Sequence, residues 1–222
     1  MTAQVSALLV DMDGTLIDTA PVVCRVLAET TKTLLGYELP EERARTYIGP
    51  PLLDTMRELA GDGGEERARA LIEEYRRRYM LHHLEIEAFE GVEEMLERVR
   101  QAGVTLALAT SKPEDRALEL LRHLGLEPHF EVVCGAPPDD GPGSEKSAVV
   151  GRALSELGLK ENPERALMIG DRRYDVEGAG AWGVRTILAL WARLADPSEQ
   201  ALAWRLAETP AEAADIICKE AR

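Results

Sequence analysis

Two acids, Asp11 and Asp13, stand two residues apart where an apolar run over residues 5–10 comes to an end. The run reads as a buried strand. Ligands of a parallel sheet gather beyond the carboxyl ends of its strands. Two carboxylates side by side at such an end repel each other unless a cation or a reaction employs them. Gly14 lets the backbone turn sharply, and Thr15 adds a hydroxyl. An ordinary polar turn has the same composition, because Asp and Gly are common turn residues. The two readings separate on what the other strand ends contribute.

A second strand, over residues 104–109, ends in Thr110, Ser111 and Lys112, and a later one over 166–169 ends in Gly170 and Asp171, with Asp175 one turn into the next helix. Lys146 falls in the first turn of a helix that follows a strand over 130–134, where a cation opposes the helix dipole. Each has a plain explanation alone. Thr110 and Ser111 can cap a helix, acids are favoured in a first helical turn, and surface lysines are common. Together, on one edge of a parallel sheet, they assemble four carboxylates, two hydroxyls and a lysine.

Phosphoryl transfer uses such a set. A carboxylate such as Asp11 can attack phosphorus and form an aspartyl-phosphate. A second acid such as Asp13 can protonate the leaving alkoxide and then activate water. Mg²⁺ prefers oxygen ligands, which Asp11, the backbone carbonyl of Asp13, Asp171 and Asp175 supply. Thr110, Ser111 and Lys146 can hold the remaining phosphate oxygens.

The elements that must position these groups alternate. Strands are expected at 5–10, 104–109, 130–134, 166–169 and 184–188. Helices are expected between them, one of them starting at Pro113 and one over 145–157 capped by Ser144. The pattern predicts an α/β fold, a Rossmann-like doubly wound parallel sheet. The first connection is too long, by roughly 60 residues beyond an ordinary strand–helix–strand unit. Its surplus reads as helix throughout, with no strand signal. An all-helical insertion is therefore expected over residues 16–88, and a core of residues 1–15 plus 89–222. The tail from Trp191 reads as helix, with Ile216 and Ile217 on a short edge strand.

The motifs resemble those of the haloacid dehalogenase superfamily, specifically its phosphoglycolate-phosphatase-like and 5′-nucleotidase-like branch with a helical cap. Asp11-Met12-Asp13-Gly14-Thr15-Leu16 matches the first motif, Thr110-Ser111 the second, Lys146 the third, and Gly170-Asp171-Arg172-Arg173-Tyr174-Asp175 the fourth. The resemblance implies Asp11 as nucleophile, Asp13 as general acid and base, and Mg²⁺ as cofactor. It also implies a cap that chooses the substrate, with the loop of Ile48, Gly49 and Pro50 facing the site and Arg43, Arg45, Tyr47 and Arg57 near it. For each arginine, a solvated residue at a structural helix–helix turn is at least as good a reading. Arg76, Arg77 and Arg78 read as mostly solvated. Trp191-Ala192-Arg193-Leu194 stands where the subgroup usually has a glycine-rich turn. True dehalogenases lack an acid at the place of Asp13, whereas phosphomutases keep it. A phospho-Asp signalling module gathers similar groups but is about half this length and has no cap.

Composition narrows the partners. The chain has 222 residues, 40 acidic against 26 basic, and a net charge of −14. Nucleic acid and anionic membrane both call for basic surface, so neither is expected. A small phosphorylated metabolite would have to be attracted locally. Three separated cysteines without metal spacing point to reduced thiols in the cytoplasm. No signal peptide and no membrane span are expected. The oligomeric state, monomer or homodimer, stays open.

Overall fold

The structure, a computed structural model, describes residues 4–48, 52–138 and 142–221. Its contacts divide the chain into two units, one of residues 1–18 and 88–222, the other Thr19–Glu87.

The first unit begins with β1 (Ala7–Val10) and reaches β2 (Ile17–Asp18). The second unit follows with α1 (Ala20–Leu35), α2 (Glu41–Arg45), α3 (Leu52–Ala60) and α4 (Gly64–His82). The chain returns through β3 (Glu87–Ala88), which pairs with β2. Then come α5 (Val92–Gln101), β4 (Thr105–Pro113), α6 (Glu114–His123), β5 (Val132–Ala136), α7 (Lys146–Glu156), β6 (Ala166–Gly170), α8 (Arg173–Gly180) and β7 (Arg185–Ala189). A short helix α9 (Pro197–Gln200), β8 (Arg205–Ala207) and α10 (Pro210–Glu220) complete it.

The sheet is six-stranded and parallel, in the order β5-β4-β1-β6-β7-β8. β1 pairs with β4 on one side and β6 on the other, so the strand order reverses direction between β1 and β6. This is the switch point of a doubly wound fold, where strand ends open a crevice. β1 reads Ala-Leu-Leu-Val and β6 Ala-Leu-Met-Ile-Gly, both wholly buried. A central parallel strand is covered on both faces, which is why these runs are continuously apolar. Ala7, Leu9, Ala107, Ala109, Ala166 and Met168 pack against Val149, Val150, Ala153 and Leu154 of α7. Their neighbours Leu8, Val10, Leu106, Leu108 and Ile169 are equally buried, towards the face where α5 and α10 lie.

The helical unit has its own core, with Cys24 and Leu27 of α1, Met56 and Leu59 of α3, and Ala68 and Leu71 of α4. Gly36, at φ 76°, ends α1 in the left-handed conformation that favours glycine.

Several sequence expectations need correction. Ile216 and Ile217 lie in α10, with Ile217 fully buried, and the sixth strand is β8. Pro113 closes β4 instead of opening a helix; its ψ of 133° is extended, and α6 starts at Glu114. α7 starts at Lys146, and its N-cap is Glu145 and not Ser144. Two two-residue strands, β2 and β3, stand where no strand was read. Arg78 is not a solvated arginine: its guanidinium bonds Glu74 and Glu29, tying α4 to α1, and its side chain is only 20% exposed. No helix among the described residues is long and apolar enough to cross a membrane, and Cys24, Cys134 and Cys218 form no disulfide.

Candidate active site

β1 ends at Val10, and the chain turns at once. The N–H groups of Thr15, Leu16 and Ile17 all point to the Met12 carbonyl, and that of Gly14 to the Ile17 carbonyl. Gly14 has φ 75°, and a Cβ there would strike the Asp171 carboxylate. The turn therefore holds Asp11 at the mouth of the switch point, its N–H donating to the Ile169 carbonyl at 2.9 Å.

Lys146 is the hub. Its Nζ donates to Asp11 Oδ1 at 2.6 Å and to the Ala109 carbonyl at 3.0 Å, and lies 2.8 Å from Asp175 Oδ1. It thus joins the ends of β1 and β4 with the start of α8. The lysine reaches there because α7 and α8 approach closely: Gly178 of α8 leaves no Cβ against its side-chain stem. Asp171 and Asp175 are 2% and 1% exposed. Asp175 Oδ2 accepts the N–H of Arg172, capping the start of α8.

Asp11, Asp171 and Asp175 can each offer an oxygen within 4.8 Å of the others. Burial, then Asp175 and Asp11, pushes the Asp171 carboxyl well above the usual range. Burial likewise lifts Asp175 to about 6, although Lys146 pulls it down. Burial disfavours the charge on Lys146, yet Asp11 and Asp175 outweigh it and its pKa is raised. Three buried acids facing one lysine lack positive charge, and their hard oxygens suit a divalent cation such as Mg²⁺. The donor set fits that ion.

Thr110 is buried at the end of β4, and its Oγ1 accepts the Lys112 N–H at 3.2 Å. Ser111 is beside it and exposed. The register of β4 with β5 shifts between Ala109 and Pro113, which lifts this segment out of the regular ladder. Asp13 lies beyond the buried cluster, 35% exposed, with Lys112 Nζ 3.1 Å from its Oδ1. Lys112 carries no role by sequence reasoning, because a lysine before a proline looks like ordinary strand-end polarity. Two further contacts come from the tail. Trp191 Nε1 donates to the Thr15 carbonyl at 3.0 Å, and buried Glu199 accepts from Arg172 and Arg173. In the tail turn, Arg193 holds φ 56°, the conformation for which a glycine is usual.

Of the expected specificity residues, Gly49 and Pro50 lie outside the described residues. Ile48 packs against the core of the helical unit. The arginines near it are engaged inside that unit: Arg43 with Tyr47 and Glu58, Arg45 with Glu41, and Arg57 with Asp54 and Glu65.

The chain belongs to the haloacid dehalogenase-like hydrolase family, whose model matches residues 8–189. It is 40% identical over 184 residues to tyrosine-protein kinase PtkA of Mycobacterium tuberculosis, an alignment that covers 82% of this chain. That alignment spans only 60% of the length of PtkA. It is 36% identical to a 5′-nucleotidase of Pseudomonas aeruginosa, covering 81% of this chain and 80% of that one. Among solved structures, a predicted phosphatase from Clostridium acetobutylicum superposes with a TM-score of 0.86 at 27% identity, covering 98% of this chain and all of the other.

Proposed function

We propose that the chain is a Mg²⁺-dependent phosphomonoester hydrolase that works through an aspartyl-phosphate on Asp11. The observation that supports this best is the buried junction of Asp11, Lys146, Asp171 and Asp175 at the switch point, with Asp13 two residues further on. In the first step an Asp11 oxygen bonds phosphorus, the bond to the ester oxygen breaks, and Asp13 gives that oxygen its proton. In the second, Asp13 takes a proton from water, the water oxygen bonds phosphorus, and the Asp11 carboxylate leaves phosphate free. Lys146 fixes the rotamer of Asp11 and keeps positive charge beside it. Thr110, Ser111 and the amides that follow can hold phosphate oxygens. Asp11, Asp171, Asp175 and the Asp13 carbonyl would hold Mg²⁺, whose charge would offset repulsion between nucleophile and phosphate.

We read residues 16–88 as the cap that selects a small phosphorylated metabolite. The likeness to a 5′-nucleotidase supports a nucleoside monophosphate; phosphoglycolate or a sugar phosphate fits the same core chemistry. A second reading, transfer of the phosphoryl group to an acceptor other than water, is supported by the likeness to a tyrosine-protein kinase. A phosphate-release screen with Mg²⁺ over these esters, ranked by kcat/KM, tests the first reading. ATP with a tyrosine peptide in the same panel tests the second. Failure to hydrolyse any ester with Mg²⁺ present would sink the hydrolase reading.

A further inference from the structure

Glu199 has no part in the chemistry above, yet it is a carboxylate with a side chain only 4% exposed. It sits in the short helix α9, in the tail that follows the last strand flanking the site. Oε1 accepts the Arg172 Nε–H at 3.1 Å and the Arg173 backbone N–H at 3.0 Å, and Oε2 accepts the Asp196 N–H at 3.0 Å. Asp196 returns the favour, accepting the N–H groups of Ser198 and Glu199. A buried carboxylate is costly unless its lone pairs are satisfied, and here each oxygen is.

What Glu199 holds is the loop between Asp171 and Asp175. Arg172 follows Asp171 directly, and its N–H binds the Asp175 carboxylate. Its guanidinium is close enough to act on Asp171 electrostatically. The Arg173 N–H is one of the donors that a helix start leaves without an intrahelical partner. Glu199 thus performs two tasks at once. It caps α8 from outside, and it engages the guanidinium of Arg172, the residue next to Asp171.

We infer that Glu199 is a positioning residue for the cation site of Asp11, Asp171 and Asp175, acting through Arg172. This rests on the reading of those acids as a divalent-cation site. Without the Glu199 charge, the Arg172 guanidinium pairs with Asp171 or Asp175 and competes with the metal. Outer partners of metal ligands commonly alter affinity by about 10–100-fold.

The test is titration of Mn²⁺ alone into the folded protein, with free ion read by electron paramagnetic resonance. The parent protein binds. Glu199→Gln, which keeps the shape and an acceptor for Arg173, binds about 10–100-fold more weakly while retaining a cooperative melt. Adding Arg172→Ala to Glu199→Gln restores most of the loss, which a merely structural role would not do. Parent-like affinity in Glu199→Gln, or no recovery in the double variant, overturns the inference. If Glu199→Gln does not fold, Glu199→Asp keeps the charge but shortens its reach. That variant is expected to lose at least about threefold, and parent-like binding overturns the inference equally. Failure of the parent to bind Mn²⁺ overturns the cation site itself, and with it this role for Glu199.

Discussion

In the α/β unit, Lys146 touches two carboxylates with 6% of its side chain in water. In the helical unit, Arg57 reaches Asp54 and Glu65 with 47% of its side chain in water. Both are cations between two acids, but they stand in different energetic positions. Exposed pairs gain little, because solvent screens them and long side chains lose entropy. A buried group has lost its hydration, so each partner becomes indispensable to the other. The helical unit has several pairs of the first kind, with Arg45–Glu41 and Arg57–Asp54 each one turn apart on a helix. At the sheet edge Lys146 joins Asp11 and Asp175, which come from two different elements. On the proposed mechanism the charge at the sheet edge serves the chemistry, whereas most of the charge on the helices faces water.

The largest break in this contrast should come from Asp11→Asn. It preserves shape and removes the proposed nucleophile, and kcat for any hydrolysed ester is expected to fall on the order of 10⁴-fold or more. Steady-state phosphate release measures this, with circular dichroism confirming the fold. Parent-like turnover would rule out the covalent mechanism. Next comes Lys146→Met, which leaves Asp11 and Asp175 without their cation. Chemical denaturation without metal should show a loss of about 3–5 kcal/mol, partly recovered when Mg²⁺ is added; a neutral result would place this lysine with the surface pairs.

Glu74 sharpens the contrast from the other side. Hydrogen bonding from Arg77, with help from Arg78, lowers its pKa from 4.5 to about 2. The folded value lies below the unfolded one, so its stabilisation is complete above about pH 4.5 and lost as pH falls towards 2. The stability gap between the parent and Glu74→Gln should therefore be open at pH 6 and reduced to roughly a quarter of that at pH 2.5. Urea midpoints at the two values check it, and a gap independent of pH would refute the assignment. The smallest effect is expected for Arg57→Ala, whose melting temperature should match the parent within error. A clear drop would show that this exposed cluster does more than keep the helices soluble.

The same physics decides what could be read in the chain. Asp11, Lys146, Asp171 and Asp175 were legible because each follows or flanks an apolar strand, and the sheet topology brings those ends together. Glu199 and Trp191 were not. Their partners are more than twenty residues away, and the tail has no periodicity that would predict the meeting. β8 escaped notice for a similar reason: Arg205-Leu206-Ala207 is too short to alternate, and the neighbouring pair Ile216 and Ile217 looked more strand-like. Pro113 misled because a proline before acids fits a first helical turn, yet the irregular end of β4 claims it. For the insertion, helical content was plain from spacing. Which of its charged residues meet a substrate was not, since ion-paired and substrate-facing arginines have the same local sequence.

Gly14, Gly170 and Gly178 stand opposite Asp171, Asp175 and Lys146, and a methyl group on any of them would occupy space those side chains now fill. None of the three can react with anything. They nevertheless constrain how the chain can change, because even an alanine at any one of them must displace a charged group before any fresh chemistry is possible. Three vacant carbon positions thus guard the catalytic inventory, and a survey of inactivating substitutions should find them as intolerant as the acids they face.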